Sequence, residues 1–303
     1  MKPRARQSLL TTEGMSRAEV EALFVRARLH ACGLETGRAV RALDGKVVAN
    51  LFFESSTRTR LSFERAAKAL GADVLNFTTQ TSSVSKGETL VDTARNVEAL
   101  GADALVIRHG ASGAAYLASR HVRCAVVNAG DGTHGHPSQA LLDAFTLHER
   151  WGSLDGRTVV IVGDVLHSRV ARSNLYCLTA LGARVVFAGP PTLLPVGLEQ
   201  LGGKVAPSLD AALEEADAVM VLRVQGERQT AGYVPSVREY ARMYGLTAER
   251  ALRLRPGALV MHPGPVNWGV ELSPEVADGP SNVILAQVAH GVAVRMAILE
   301  ACA

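Results

Sequence analysis

Lysine is scarce in this chain. Only five of its 32 basic side chains are lysines, and 29 acidic residues leave a net charge of +3. That balance excludes a nucleic-acid binder held mainly by phosphate contacts, which needs a marked basic excess. The scarcity also makes a lysine in an unexpected place informative. Proline is sparing too, with 12 in 303 residues; 48% hydrophobic and 20% charged content complete the composition of a globular protein, not a disordered one. The four cysteines (Cys32, Cys124, Cys177 and Cys302) form no CxxC pair, and none stands beside a plausible His/Cys ligand set. They read as reduced structural thiols. No stretch approaches the roughly 20 apolar residues that span a bilayer. The basic start "MKPRARQSLLTTEG" lacks the apolar run of a secretory signal. These absences predict a soluble cytoplasmic protein with no membrane or nucleic-acid partner.

What is present is a repeated grammar. "AAKALGADVLNF" (66–77), "NVEALGADALVI" (96–107) and "CLTALGARVVF" (177–187) each run a helical pattern into "LGA" and then into a short apolar strand. The glycine suits a left-handed helix C-cap. Strands alternating with helices on short connections imply βαβ units and parallel sheets. A second echo, "LDGKVVANLFF" (43–53) and "LDGRTVVIVGD" (154–164), reads as the first buried strand of each of two α/β domains. The helix-like "PSQALLDAFTLHERWG" (137–152) links them, and "SRAE" (16–19) is a capping box opening a helix to about residue 31. The apolar "AQVAHGVAVRMAILEA" (286–301) is a helix that must pack on something, and its Gly291 is tolerable there. The expected fold is two doubly wound parallel-sheet domains joined by helices. Their expected bounds are 1–138 with 286–303, and 139–285.

The densest donor cluster is "ESSTRTR" (54–60), between the apolar "VVANLFF" and the helical "LSFERAAKALG". In doubly wound sheets ligands sit beyond the carboxyl ends of strands, where helix N-termini point. The first N–H groups of a helix are unpaired and favour an anion. Ser56, Thr57 and Thr59 add hydroxyl donors, and Arg58 adds a planar fork that matches phosphate. A helix cap alone would need one serine, so the set suits a small oxygen-rich dianion. It is not a P-loop, because the glycine-rich turn and GK[ST] are absent. Arg108, in "VIRHG", taken alone is a rim residue at a strand end. His134 and His136, in "GDGTHGHPSQ", make a weak H-x-H pair with no acidic third ligand, so a metal is not expected.

"FFESSTRTRLSFERAAKALGA" resembles the carbamoyl-phosphate loop of the aspartate and ornithine carbamoyltransferases. The similarity continues in order through "SSVSKGETLVDTARNVEALGADALVIRH", "VVNAGDGTHGHPSQALLD", "VVIVGDVLHSRVARSN", "VLRVQGER" and "MHPGPVNWGVEL", from roughly residue 45 to 290. Within that family the chain is most similar to the catalytic chains that use aspartate. The resemblance implies transfer of a carbamoyl group from carbamoyl phosphate to the aspartate amine, a step of pyrimidine biosynthesis, in a cleft between the domains. No metal, cofactor or covalent intermediate is required. The chemistry needs oxyanion donors, phosphate cations and alignment of two anions.

By resemblance, Ser56, Thr57, Arg58, Thr59, Arg108 and His136 hold carbamoyl phosphate, with Gln139 on the carbamoyl amide. Arg58, Thr59, Arg108, His136 and Lys86 are the expected catalytic set. One donor nitrogen of a neutral histidine suffices for the carbonyl contact. Arg169 and Arg223 would each take one aspartate carboxylate, helped by Gln225, while Gly264 and Pro265 approach the reacting groups. Arg172, Arg228 and His134 are left as solvated or loop residues. In this family the loop carrying Ser82 and Lys86 reaches a neighbouring subunit's site, which implies a homotrimer with shared sites. Ordered binding is expected, carbamoyl phosphate first.

Trp268 stands where relatives with the "HPGPVN" form often have arginine, a change with no evident reading. Relatives of that form associate with dihydroorotase or an inactive homologue of it, and the "HPGP" form makes regulation by a nucleotide-binding chain less expected. Ornithine carbamoyltransferase is the main rival, but its usual "HCLP" turn is absent and Lys86 suits a dianionic acceptor. A non-catalytic scaffold should have lost some of Thr59, Arg108, His136, Arg169 or Lys86, and all are present. A dinucleotide-binding protein is disfavoured by the missing GxGxxG.

Overall fold

Each glycine of the "LGA" repeats ends a helix and starts a strand, and two parallel sheets result. The computed structural model describes residues 7–38, 40–78, 88–224 and 236–303. The chain forms two compact units, 1–145 with 289–303, and 146–288.

In the first unit, α1 (Arg17–Glu35) opens at Ser16. The Ser16 hydroxyl accepts from Glu19 N, and the Glu19 carboxylate accepts from Ser16 N at 2.8 Å, the reciprocal capping box the sequence predicts. The helix runs four residues beyond the expected end. There follow β1 (Val47–Phe52), α2 (Thr57–Ala69), β2 (Asp73–Thr78), α3 (Leu90–Ala99), β3 (Ala104–His109), α4 (Ala114–Ser119) and β4 (Ala125–Asp131). The strand order is β2-β1-β3-β4, all parallel. Leu9 bridges to Val127 beside β4, with its N–H donating to the Val126 carbonyl at 2.9 Å. The helix α5 (Pro137–Trp151) then carries the chain into the second unit.

The second unit contains β5 (Thr158–Val162), α6 (Arg169–Ala180), β6 (Arg184–Ala188), β7 (Lys204–Val205), α7 (Leu209–Glu215), β8 (Ala218–Val221), α8 (Val237–Tyr244), α9 (Ala248–Ala251), β9 (Leu259–Met261) and α10 (Pro274–Ala277). Its parallel order is β7-β6-β5-β8-β9. Every residue of β5 and β8 is buried, which is why these segments read as unbroken apolar runs instead of alternating ones.

The "LGA" glycines sit at φ +87° (Gly71), +96° (Gly101) and +83° (Gly182), the left-handed conformation expected of them. At Gly71 a side chain is excluded twice over, since a Cβ would lie 2.4 Å from Asp44 Oδ1.

The final helix, α11 (Ile284–Cys302), departs from expectation. It is long and apolar enough by length and composition to cross a membrane, whereas the sequence reading found no stretch that approaches a bilayer span. Residues 289–303 belong to the first unit, and Ala293, Met296, Ala297 and Leu299 are buried in it. The helix is therefore core material. Its Cys302 is buried and burial pushes the thiol up to about 12, whereas Cys32 is exposed and Cys124 and Cys177 are buried. A thiol reagent at neutral pH should accordingly titrate Cys32 alone in the native protein and all four cysteines after unfolding. Rapid native reaction of a second thiol would contradict the packing of α11.

Candidate active site

In the first sheet the strand order reverses between β1 and β3, so their carboxyl ends form the switch point where doubly wound sheets bind ligands. Pairing of Phe52 with Arg108, and donation from Phe53 N to the Arg108 carbonyl at 2.8 Å, places Arg108 beside the segment entering α2. Arg108 stands within β3, one residue from its end, not just past it as the sequence suggested. Its side chain is 12% exposed; Nη1 donates to the Ala129 carbonyl at 3.2 Å, and Nη2 lies 3.7 Å from Glu54 Oε1. A buried carbonyl and a carboxylate thus hold the guanidinium in place.

Ser56 is the N-cap of α2, yet its hydroxyl makes no capping bond. Ser16, Thr89, Ser168, Ser208, Ser236 and Thr247 do so at the starts of their helices, while Ser273 of the short α10 does not. The first turn of α2 also contains no acidic residue. The positive end of this helix is therefore neither capped by Ser56 nor offset by a carboxylate in its first turn. Arg58 is exposed on that turn, and Thr59 is buried beneath it.

At the end of β4, Asp131 builds the turn that leads to His136. Its carboxylate accepts from Gly113 N (2.7 Å), Gly135 N (3.1 Å) and Asn128 Nδ2 (2.8 Å), and contacts His134 Nδ1. His134 is thus loop structure, as read from the sequence. His136 is buried, with Ser138 Oγ 3.4 Å from its Nδ1. Pro137 opens α5 at a position where its missing N–H costs nothing. Gln139, also buried, donates from Nε2 to Asp143 Oδ1 at 2.9 Å, one helical turn on. Among the described residues no three His, Cys, Asp or Glu side chains cluster as a metal site.

In the second sheet the order reverses between β5 and β8. Arg169 is the first residue of α6, buried at 6% exposure, while Arg172 is exposed. The preceding loop is tied down by Asp164, which accepts from His167 N at 3.1 Å and contacts His167 Nδ1 at 2.9 Å. Arg223 follows β8 and is half-buried. Ser82, Lys86, Gln225 and Arg228 lie outside the described residues.

The "HPGPVN" turn follows β9, with Gly264 at φ +63° and a cis peptide to Pro265. His262 Nδ1 accepts from Gly264 N at 2.7 Å, so in the neutral ring the proton sits on Nε2, 3.4 Å from Glu271 Oε1. The same Glu271 oxygen accepts from Asn267 N at 2.6 Å, and Gln287 Oε1 accepts from His262 N at 3.0 Å. Asn267 Nδ2 donates to the Val224 carbonyl at 3.3 Å, joining the turn to the neighbour of Arg223. Both Glu271 and His262 are fully buried. Glu271→Ala should cost about 3–5 kcal/mol, lowering Tm by roughly 10 °C, because it strips the Asn267 N–H of its acceptor and the buried imidazole of the carboxylate beside it. Calorimetry showing an unchanged Tm would remove Glu271 from this scaffold.

Asp143, His262, Asn267 and Glu271 are the supporting residues that the sequence left unassigned. His262 and Asn267 stood inside a quoted motif, and Asp143 lies four residues after Gln139. That helical spacing was the available signal.

Two family models match. Residues 7–149 match the aspartate/ornithine carbamoyltransferase carbamoyl-P binding domain, and residues 155–302 the Asp/Orn binding domain of the same family. The aspartate carbamoyltransferase catalytic subunit of Myxococcus xanthus is 67% identical over 294 residues, covering 97% of this chain and 98% of that protein. The catalytic subunit from Anaeromyxobacter sp. (strain Fw109-5) is 61% identical, covering 86% and 83%. Among solved structures, Trypanosoma cruzi aspartate transcarbamoylase in complex with carbamoyl phosphate and aspartate has a TM-score of 0.90 at 33% identity, covering 97% of this chain and 96% of that one. Ornithine carbamoyltransferase from Pyrococcus furiosus gives 0.88 at 28%, covering 97% and 96%. With both halves matched in order, and with donor clusters at the switch point of each sheet, the chain belongs to the aspartate/ornithine carbamoyltransferase family.

Proposed function

We propose that this protein is an aspartate carbamoyltransferase, forming N-carbamoyl-L-aspartate and phosphate in pyrimidine biosynthesis. The observation that carries the reading is the α2 N-terminus, whose cap serine makes no capping bond while Arg108 is fixed on the adjacent strand. The 67% identity to the aspartate carbamoyltransferase catalytic subunit of Myxococcus xanthus supports aspartate as the acceptor. Carbamoyl phosphate binds first, its phosphoryl oxygens on the first turn of α2 with Ser56, Thr57, Arg58 and Thr59. Arg108 and His136 donate to the carbamoyl oxygen with Thr59, and Gln139 holds the carbamoyl amide. The aspartate carboxylates pair with Arg169 and Arg223, with Gln225 alongside and the Gly264–Pro265 turn near the amine. The unprotonated amine attacks the carbamoyl carbon. A C–N bond forms, the bond from that carbon to the bridging oxygen breaks, and the departing phosphate takes the amine proton.

Fixed donors act here because the phosphate gains charge as it leaves, so their attraction strengthens along the reaction coordinate. Ser82 and Lys86 are assigned to a loop that completes a neighbouring subunit's site in a cytoplasmic homotrimer. A dihydroorotase, or an inactive homologue of it, is the proposed partner protein.

Ornithine is the second acceptor to weigh, since an ornithine enzyme shares the fold at a TM-score of 0.88. Two arginines facing a side-chain ammonium would repel it, so the pocket favours a dicarboxylate. The deciding experiment assays carbamoyl phosphate turnover with aspartate and with ornithine, on protein whose mass in solution is measured. Turnover with aspartate alone, at trimer mass, is the expected result. Turnover with ornithine only would overturn the acceptor assignment, and turnover with neither would leave a scaffold.

A further inference from the structure

Arg295 is a charged side chain in the middle of the apolar helix α11, 4% exposed and flanked by Val294 and Met296 at 1% and 0%. Burying a guanidinium is costly unless its surroundings compensate. Here Nη1 donates to Ser62 Oγ at 2.9 Å and to the Gly291 carbonyl at 3.1 Å, and the guanidinium lies 5.1 Å from the Phe63 ring centre. Ser62 and Phe63 are in the second turn of α2, directly behind the turn that bears Thr57, Arg58 and Thr59. The charged groups that act on Arg295 are Asp143, which attracts it, and Arg58, which repels it. Asp143 is fully buried and accepts from Gln139.

Gly291, one turn earlier on the helix, leaves room for this side chain. A Cβ there would come within 2.6 Å of Arg295 Nη1 and 3.3 Å of Leu142 Cδ2, so the guanidinium would have to shift.

Resting on the proposed carbamoyl phosphate site, we infer that Arg295 is a positioning residue for its phosphate end. It anchors α2 behind the binding turn, is attracted by the same Asp143 carboxylate that accepts from Gln139, and sets a fixed positive charge behind Arg58. An anion arriving at Arg58 offsets the repulsion between the two arginines, so the buried charge strengthens phosphate binding. Arg295 touches no substrate.

The test compares wild type with Arg295→Met, Arg295→Lys and Asp143→Asn, using inorganic phosphate in calorimetry and carbamoyl phosphate in steady-state assays. Wild type must bind phosphate; failure there overturns the proposed site and this inference with it. Arg295→Met should weaken phosphate binding about tenfold and raise the carbamoyl phosphate KM similarly, with the aspartate KM unchanged. Arg295→Lys keeps the charge and should recover affinity to within about threefold of wild type. Asp143→Asn should behave oppositely, binding phosphate at least as tightly while kcat falls about tenfold, because the neutral amide that replaces the carboxylate holds the Gln139 Nε2–H more weakly. Should Arg295→Met fail to fold, Gly291→Ala keeps every charge but crowds Nη1, and carries the same expectation of weaker phosphate binding. Wild-type phosphate affinity in Arg295→Met, or in Gly291→Ala if that variant must stand in, would reduce Arg295 to a packing residue and overturn the inference.

Discussion

Arg58→Ala is expected to lower kcat by about a hundred- to a thousandfold, the range seen when one fixed donor to a developing negative charge is removed. The loss should appear in kcat and not only in KM, because the leaving phosphate carries more charge than the bound substrate does. Stability should not follow. Arg58 is exposed on the first turn of α2, and its removal relieves Arg295 of a like charge. The melting temperature is therefore expected to stay level or rise slightly, while the stabilisation that wild type gains from phosphate disappears. That combination separates a functional arginine from a structural one. Turnover within twofold of wild type would take Arg58 out of the site.

Arg223→Ala should act on the other substrate. Truncating one partner of a hydrogen-bonded charge pair costs roughly 2–5 kcal/mol, so the aspartate KM should rise by about a hundredfold or more, with the carbamoyl phosphate KM within about twofold. Arg223→Lys should recover only part of the loss, because an ammonium lacks the planar fork that matches a carboxylate. Arg223 is half-buried just past β8, and its neighbour Val224 accepts from Asn267 of the "HPGPVN" turn. The variant leaves that backbone contact intact, so turn geometry is not expected to confound the measurement. An unaltered aspartate KM together with an unaltered kcat would refute the assignment of the acceptor pocket to the second unit.

The two predictions fall on residues that local pattern made legible. Arg58 was visible because "ESSTRTR" crowds donors between an apolar strand and an amphipathic helix, and the structure puts those residues at the start of α2. The helix and strand changes in the three "LGA" segments were equally legible, since a left-handed glycine and a change of hydrophobic period both act within one turn of chain. Arg108 was half legible: its place near the strand end could be read, but not the Glu54 carboxylate and Ala129 carbonyl that restrain it. The extent of α11 was legible to within two residues at each end, but not that Arg295 within it is the buried centre of a contact with α2.

By itself the sequence determined the order of strands and helices, the parallel class of both sheets, and the donor cluster at the head of α2. Those features arise from backbone sterics, hydrophobic period and helix-end polarity, which depend on residues a few positions apart. Only the tertiary structure decided that Arg295 stands behind Arg58 and Ser62, more than 230 positions away in the case of Ser62. The same holds for Glu271, whose one oxygen meets both Asn267 and His262. Coulombic attraction and close packing act through space at a few ångströms, and no one-dimensional pattern records which distant side chains the fold brings that near.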